Sequence, residues 1–312
     1  MTGVSRRWLL GAIAALPPSL VAAGRAGGEV AGSRQDREPA GEFDAIADPC
    51  APASGRDQPP YLAVFSSGPK QIGFLAAMHT QDASSPTFRL IARAFARLQP
   101  KIVVVEGVPT EEGLSPARLS NRGFVRRRGG QYGENMQAAY EAEARDIPFI
   151  GGEPTQSTLL QAHVEAGANG ADVFAAYLLR YLRGAMLARQ PGGADDQLRD
   201  LQRRLLPTLG QSLGVTDFDI FQWYRASYGV LPAADPELAE RGSPCGPGIA
   251  SAIVARETRL RNEHLLRLIE ALSSGYPSVL VVYGAGHFDA LAPSLRNLHG
   301  EYTLLEAAGP PL

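Results

Sequence analysis

The sequence predicts an α/β fold with a mainly parallel central sheet flanked by helices, and three observations support this prediction. Short apolar, β-branched runs of the kind that form buried strands recur along the chain. Segments with apolar residues at helical spacing separate these runs, and such alternation is typical of a parallel sheet covered on both faces. The length of 312 residues is sufficient for one large domain of this class.

The amino terminus has the pattern of an export signal rather than of a folded element. Arg6-Arg7 precede the short apolar stretch Leu9 to Leu16, and small residues follow. This layout is typical of a twin-arginine signal peptide, so we expect residues 1–26 to direct export, with cleavage after Ala23 or Ala26. The apolar stretch is too short for a settled bilayer-spanning helix. We therefore expect a periplasmic or secreted protein with no stable transmembrane segment after removal of the signal.

A polar segment connects this signal to the predicted domain. Residues 27–59 are rich in Gly, Ala, Pro, Asp and Arg without a hydrophobic period, which predicts a flexible linker. The two cysteines of the chain are Cys50 in this linker and Cys245 in the domain. In an oxidising periplasm they are able to form one disulfide, which would attach the linker to the body of the protein.

The domain, predicted over residues 60–312, begins with a β-hairpin. Tyr61 to Ser66 and Lys70 to Ala77 are strand-like runs joined by a turn signal, Ser67-Gly68-Pro69. Pro86 then opens a helix that reaches about Leu98. The apolar run that starts at Ile102 predicts the next strand.

The rest of the domain alternates in the same way, except for a long helical insertion. We expect residues 107–133 to be irregular, and we expect no strand in an insertion over about residues 156–248. The remaining predicted elements are a helix over Glu134 to Asp146, a strand from Ile147, a helix over Ile249 to Leu272, a strand from Val279, a helix over Asp289 to Asn297 and a strand over Tyr302 to Glu306.

The overall composition excludes nucleic acid as an expected partner. A formal net charge of −2 provides no electrostatic footprint for a polyanion. The local cluster Arg126-Arg127-Arg128 is interpreted as a solvated loop. Hydrophobic residues at 45% and charged residues at 20% describe an ordinary globular protein.

Two histidines and two glutamates follow apolar runs and are the candidate functional residues. His79 follows the run that ends at Met78, and His287 follows Val279 to Tyr283 through a Gly-Ala-Gly turn. Glu106 and Glu153 come at the ends of two other runs. Because residues beyond the carboxyl ends of parallel strands face the ligand crevice, we expect the four side chains to converge there. Imidazole and carboxylate are ligands of divalent metal sites, so the sequence predicts such a site.

Two chemistries are open for this set of residues. With a metal, His79 and His287 are ligands, either Glu106 or Glu153 is the third ligand, and the other carboxylate is the base. Without a metal, an imidazole–carboxylate pair performs general-base ester hydrolysis. Arg261 either stabilises an oxyanion, binds a substrate carboxylate or forms a salt bridge beneath the sheet. For Glu134, at the start of a helix, we expect a helix-capping role.

The order of these motifs resembles the TraB/PrgY–Tiki superfamily, which includes erythromycin-esterase-like and ChaN-like proteins. The resemblance covers about Tyr61 to Glu306. Its carboxyl-terminal GxxH motif matches Gly284 to His287, whereas Ala76 replaces glycine in the amino-terminal motif that ends at His79. Glu106 and Glu153 resemble the two acidic residues of the family, and Arg259 or Arg261 resembles the arginine of the long helix.

The resemblance implies three kinds of activity: metal-dependent peptide hydrolysis, ester hydrolysis, and haem binding without catalysis. We expect a periplasmic hydrolase of peptide or small-molecule ester substrates with a divalent metal ion as cofactor. The alternative is a non-catalytic haem- or metal-binding protein of the ChaN type. No nucleophile elbow, zinc-protease helix, P-loop or dinucleotide fingerprint occurs in the sequence.

Overall fold

The helices and strands alternate in the order that the sequence predicts. The computed structural model describes residues 46–48, 50, 58–80, 82, 84–110, 133–187 and 189–307. The predicted signal over residues 1–26, most of the linker and Arg126 to Arg128 lie outside the described residues.

The elements are named here in chain order. The strands are β1 (Tyr61–Ser67), β2 (Lys70–Ala77), β3 (Ile102–Pro109), β4 (Phe149–Glu153), β5 (Ser278–Gly284) and β6 (Tyr302–Ala307). The helices are α1 (Pro86–Leu98), α2 (Glu134–Glu143), α3 (Gln156–Glu165), α4 (Gly170–Leu187), α5 (Ala194–Leu205), α6 (Ile220–Tyr228), α7 (Leu238–Arg241), α8 (Ile249–Gly275) and α9 (Ala285–His299). A π-helical turn, Leu206–Gly210, extends α5, and a short 3₁₀ turn, Pro232–Ala234, follows α6.

The strands form one mixed, mostly parallel sheet in the order β4-β3-β5-β2-β1-β6. Neighbouring strands from β4 to β2 are parallel, and β1 is antiparallel to both β2 and β6. The chain leaves β2, forms β3 and β4 on one side, and returns through α8 to place β5 between β3 and β2. This arrangement brings the carboxyl ends of β2, β3, β4 and β5 to the same edge of the sheet, where an α/β fold binds its ligands.

Helices cover both faces of the sheet, as predicted. On one face, α1 and α2 pack through residues such as Phe95 and Ala139 against side chains of β3 and β5. On the other, α8 and α9 pack through Leu265 and Phe288. The strands in the middle of the sheet are therefore buried on both sides, which explains their continuous apolar sequences.

The helical insertion forms a hydrophobic core of its own. Its centre is α4, whose residues from Val173 to Leu179 are all buried, and it packs against α5, α7 and the first half of α8. No strand occurs among the described residues of the insertion, as the sequence predicts. Residues 229–248 contain the 3₁₀ turn and the single turn of α7.

Several predicted element boundaries were wrong. β3 continues to Pro109, so Glu106 lies within the strand, and Glu153 is the last residue of β4. α9 begins at Ala285 rather than at Asp289, which places His287 in its first turn. α2 ends at Glu143, and residues 144–146 form turns.

Part of the predicted linker is attached to the domain. Cys50 and Cys245 form the disulfide that the sequence allows. The backbone N–H of Ala47 donates a hydrogen bond of 2.9 Å to the carbonyl of Ala290 on α9. Ile46 packs against the core beneath α8 and α9. Among the described residues, no helix is both long enough and apolar enough to cross a bilayer.

Candidate functional site

The carboxyl edge of the sheet brings together all five residues that the sequence singles out. His79 follows β2, Glu106 lies in β3, Glu153 ends β4 and His287 lies in the first turn of α9 after β5. Arg261 reaches them from the middle of α8, which lies on one face of the sheet. The parallel order of the four strands is what concentrates these groups.

Glu106 is the centre of the cluster. The Nε2 atom of His287 lies 3.5 Å from its Oε1, and the Nε2 atom of His79 lies 3.8 Å from its Oε2. The backbone N–H of Gly284, at the start of α9, donates to Oε2 at 2.6 Å. The two imidazoles therefore face a single carboxylate at the amino end of a helix, a position that favours negative charge.

Gly284 makes this close approach possible. A Cβ atom at this position would lie 2.6 Å from Nε2 of His79 and 3.3 Å from Oε2 of Glu106. A side chain here would displace His79, so the first glycine of the Gly284 to His287 motif has a steric role. Ala76, at the position where the resemblance predicts a glycine, is buried, and His79 lies 3.8 Å from Glu106.

Arg261 binds both carboxylates. Its Nε donates to Oε2 of Glu153 at 2.6 Å, and its Nη2 donates to Oε1 of Glu153 at 2.6 Å and to Oε1 of Glu106 at 3.2 Å. The alternative Arg259 instead pairs with Glu263 at the surface. Arg261 thus has the salt-bridge contacts that the sequence analysis left open as one alternative.

These contacts keep both carboxylates ionised. Burial alone would raise the pKa of Glu106, but the neighbouring His287, Arg261 and His79 hold that pKa below its usual range. The pKa of Glu153 is also lowered: burial opposes ionisation, and hydrogen bonding from Arg261 outweighs it. Burial opposes the charge of Arg261, but Glu153 and Glu106 raise its pKa above the usual value.

Each imidazole is held on its other nitrogen by an oxygen acceptor. Nδ1 of His79 contacts Oε1 of Glu134 in a short hydrogen bond, and Nδ1 of His287 lies 2.5 Å from Oδ1 of Asn262. In both rings this leaves Nε2 directed at Glu106. The hydrogen bond to Glu134 raises the pKa of His79 to about 9, although burial acts against it.

The contact of Glu134 with His79 is not predicted by the sequence. Glu134 was expected to cap a helix, whereas its buried carboxylate contacts His79 in the structure. Gly133 is the cap residue and provides no side-chain cap. Glu134 lies 55 positions from His79, and an irregular segment precedes it, so no local spacing in the sequence connects the two residues.

A second polar cluster lies along α8, one helical turn before Arg261. Glu257 pairs with Arg180 of α4, and its Oε2 lies 3.8 Å from Nε2 of His163. His264, further along α8, contacts the hydroxyl of Thr110 at 2.9 Å. α8 therefore carries polar groups on several successive turns facing the end of β4 and the insertion.

The donor chemistry of the site fits a metal through three residues. Metal-binding histidines commonly donate their second ring N–H to an oxygen acceptor, as His79 and His287 are positioned to do. Glu106 retains acceptor capacity on both oxygens, whereas Arg261 occupies both oxygens of Glu153. Among the described residues, no three or more His, Cys, Asp or Glu side chains are grouped so that they could hold a metal ion as they stand.

Comparisons with known proteins add no assignment: neither the models of known protein families nor the curated proteins match this chain. The fold and the site therefore define its class by themselves. It is an α/β protein whose carboxyl-edge cluster combines two imidazoles, two carboxylates and a guanidinium.

Proposed function

We propose that the protein is a hydrolase of peptide or ester bonds that uses a divalent metal ion held by His79, His287 and Glu106. The observation that carries this proposal is the pair of imidazoles that face one carboxylate with Nε2 while oxygen acceptors hold Nδ1. The resemblance to the TraB/PrgY–Tiki superfamily supports the same reaction class. Glu153, expected from sequence to be a ligand or base, is assigned in this proposal to holding Arg261.

The cation and the side chains around it have different roles in the proposed reaction. A bound divalent cation would supply Lewis acidity that lowers the pKa of a bound water molecule. Arg261 balances the charge of the two carboxylates, so Glu106 remains ionised at neutral pH. The side chain of His79 is 63% exposed, which leaves this flank of the cluster open to a substrate.

Metal analysis of protein purified without chelator tests the proposal. We expect one transition metal ion per chain, lost in His79→Ala and in His287→Ala together with hydrolysis of peptide or ester probes. His299→Ala is the matched control because His299 ends the same helix, twelve residues from His287 and roughly 18 Å away at ~1.5 Å per residue. It should retain both the metal and the activity.

Other outcomes would contradict the proposal in distinct ways. Metal or haem bound without turnover of any probe would favour the non-catalytic binding protein of the ChaN type. Esterase activity that persists in metal-free protein would favour the general-base reaction of an imidazole–carboxylate pair.

We also propose that the protein works outside the cytoplasm after export by the twin-arginine route. The disulfide between Cys50 and Cys245 supports this location, because such bonds persist in oxidising compartments. The Arg6-Arg7 pair before the apolar stretch supports the route.

A further inference from the structure

Glu134 is held in a fixed place beside the site by its neighbour in the chain. The side chain of Asn135 donates a 3.1 Å hydrogen bond to the backbone carbonyl of Glu106 in β3. The first turn of α2 is therefore attached to the strand that carries the central carboxylate. Glu134, one residue earlier, is buried and directs Oε1 at Nδ1 of His79.

The orientation of the His79 ring depends on its contact with Glu134 more than the orientation of the His287 ring depends on its contact with Asn262. The side chain of His287 is 11% exposed, and its ring packs edge-on against Tyr283 with centroids 5.3 Å apart. The side chain of His79 is 63% exposed and follows the end of β2 in a segment without helix or strand. An exposed side chain samples several rotamers unless a partner selects one, and Glu134 is the partner in hydrogen-bond contact with this ring.

The acceptors behind the two rings also differ in charge. A carboxylate accepts from Nδ1–H of His79, and the neutral amide oxygen of Asn262 accepts from His287. A charged acceptor forms the stronger hydrogen bond and increases the donor strength of the opposite ring nitrogen. The two imidazoles are therefore unequal as ligands.

We propose that Glu134 is a positioning residue that fixes the ring of His79 with Nε2 towards Glu106 and makes His79 the stronger ligand of the pair. The first part stands on the geometry alone. The second part rests on the proposed metal site, so the test has one readout for each part.

Crystal structures and Co²⁺ binding of the full chain provide these two readouts. In Glu134→Ala we expect the ring of His79 to leave its position beside Glu106 and the Co²⁺ dissociation constant, measured by visible absorption with a competing chelator, to rise about 10- to 100-fold. Glu134→Gln keeps an oxygen acceptor for Nδ1–H, so we expect the ring to stay in place and the affinity to fall by a smaller factor. Glu141→Gln is the matched control on the same helix, where Glu141 contacts Gln137 and Arg145.

Each result supports or overturns a defined part of the inference. A His79 ring that keeps its position in Glu134→Ala overturns the positioning role. Wild-type Co²⁺ affinity in the folded Glu134→Gln variant overturns the contribution of its charge, and this variant decides the matter if Glu134→Ala does not fold. If the ring moves but the wild-type chain takes up no Co²⁺, the positioning role stands and the proposed metal site fails.

Discussion

Gly284 is the residue that controls how closely His79 approaches Glu106. The space that a methyl group would need at this position is occupied by the His79 ring. Gly286, two residues later in the same motif, has no neighbouring atom within 4 Å of a built Cβ among the described residues. The two glycines are therefore sterically unequal, although they stand together in the sequence.

This difference predicts opposite results for two alanine variants. Gly284→Ala should displace the exposed His79 ring and abolish metal binding and hydrolysis, while the thermal midpoint changes little. Gly286→Ala should retain metal binding and hydrolysis. Its free energy of unfolding should rise by about 0.5–1 kcal/mol, because alanine replaces glycine in a helix without a clash. Binding assays and thermal unfolding of both variants check this. Equal function in the two variants would contradict the steric role of Gly284.

Glu257 and its partners make the stability of the protein depend on pH in the acidic range. Burial alone would raise the pKa of this carboxyl, but His163 and Arg180 lower it from 4.5 to about 2. A carboxyl whose pKa is lower in the folded state contributes stability that is fully present above pH 4.5 and is lost as the pH falls towards 2. The free energy of unfolding therefore decreases as the solution becomes more acidic.

We expect this contribution to appear as a difference between wild type and Glu257→Gln. Between about pH 6 and about pH 2, the free energy of unfolding of wild type should fall by about 3 kcal/mol more than that of the variant. Urea denaturation across this range measures it. Parallel pH profiles would show that Glu257 gains nothing from its partners on folding.

At the scale of elements, α8 connects the two hydrophobic cores. Ile253 in its first half packs in the insertion core, and Ile269 in its second half packs beneath the sheet. The described residues belong to one compact unit. A single helix shared by two cores predicts that they unfold together.

The coupling is testable through Trp223, which belongs to the insertion and donates a hydrogen bond to Asp172. In a chain that begins at residue 27, it is the only tryptophan. Ile269→Ala, distant in sequence from this probe, should lower the free energy of unfolding by about 2–5 kcal/mol. The midpoints measured by tryptophan fluorescence and by circular dichroism should shift together. Arg256→Ala on an exposed turn of α8 should change stability by roughly 0.5 kcal/mol or less. Separate transitions for the two signals would exclude coupling.

Sequence periodicity was sufficient for most elements and for the convergence of the site. The hairpin of β1 and β2 and the span of α1 follow from strong local signals, a Gly-Pro turn and a proline at the helix start. Parallel topology then placed His79, Glu106 and His287 at one edge. These features depend on local pattern and on a general rule of α/β folds.

The rest depended on contacts that local pattern does not encode. β3 includes Glu106 because pairing with β4 resumes at Pro109 after an irregularity. The N–H of Gly284, directly before α9, binds the side chain of Glu106, which lies 178 positions earlier in the sequence. The role of Glu134 likewise required the tertiary structure, since it arises from a contact across 55 positions. In each case a tertiary interaction overrode or completed the local signal.

At the scale of the whole molecule, the arginine pair predicts export from the cytoplasm by the twin-arginine route. Replacing both Arg6 and Arg7 with lysine should abolish delivery to the periplasm, because the export pathway recognises the arginine pair. Cell fractionation with immunoblotting measures the distribution. Replacing both Arg34 and Arg37 in the linker with lysine is the matched control and should leave delivery unchanged. Unchanged delivery of the first variant would exclude the twin-arginine route.

The disulfide also determines whether cleavage of the backbone by a protease separates the chain into two molecules. It closes a covalent ring between Cys50 and Cys245, which are separated by 195 in sequence, and this ring contains His79, Glu106 and Glu153. Arg261 and His287 lie on the arm that leaves the ring at Cys245. A protease that cleaves one peptide bond within the ring opens it but releases no fragment. Both halves of the candidate site therefore remain parts of one molecule after such a nick, for as long as the sulfur–sulfur bond stays oxidised.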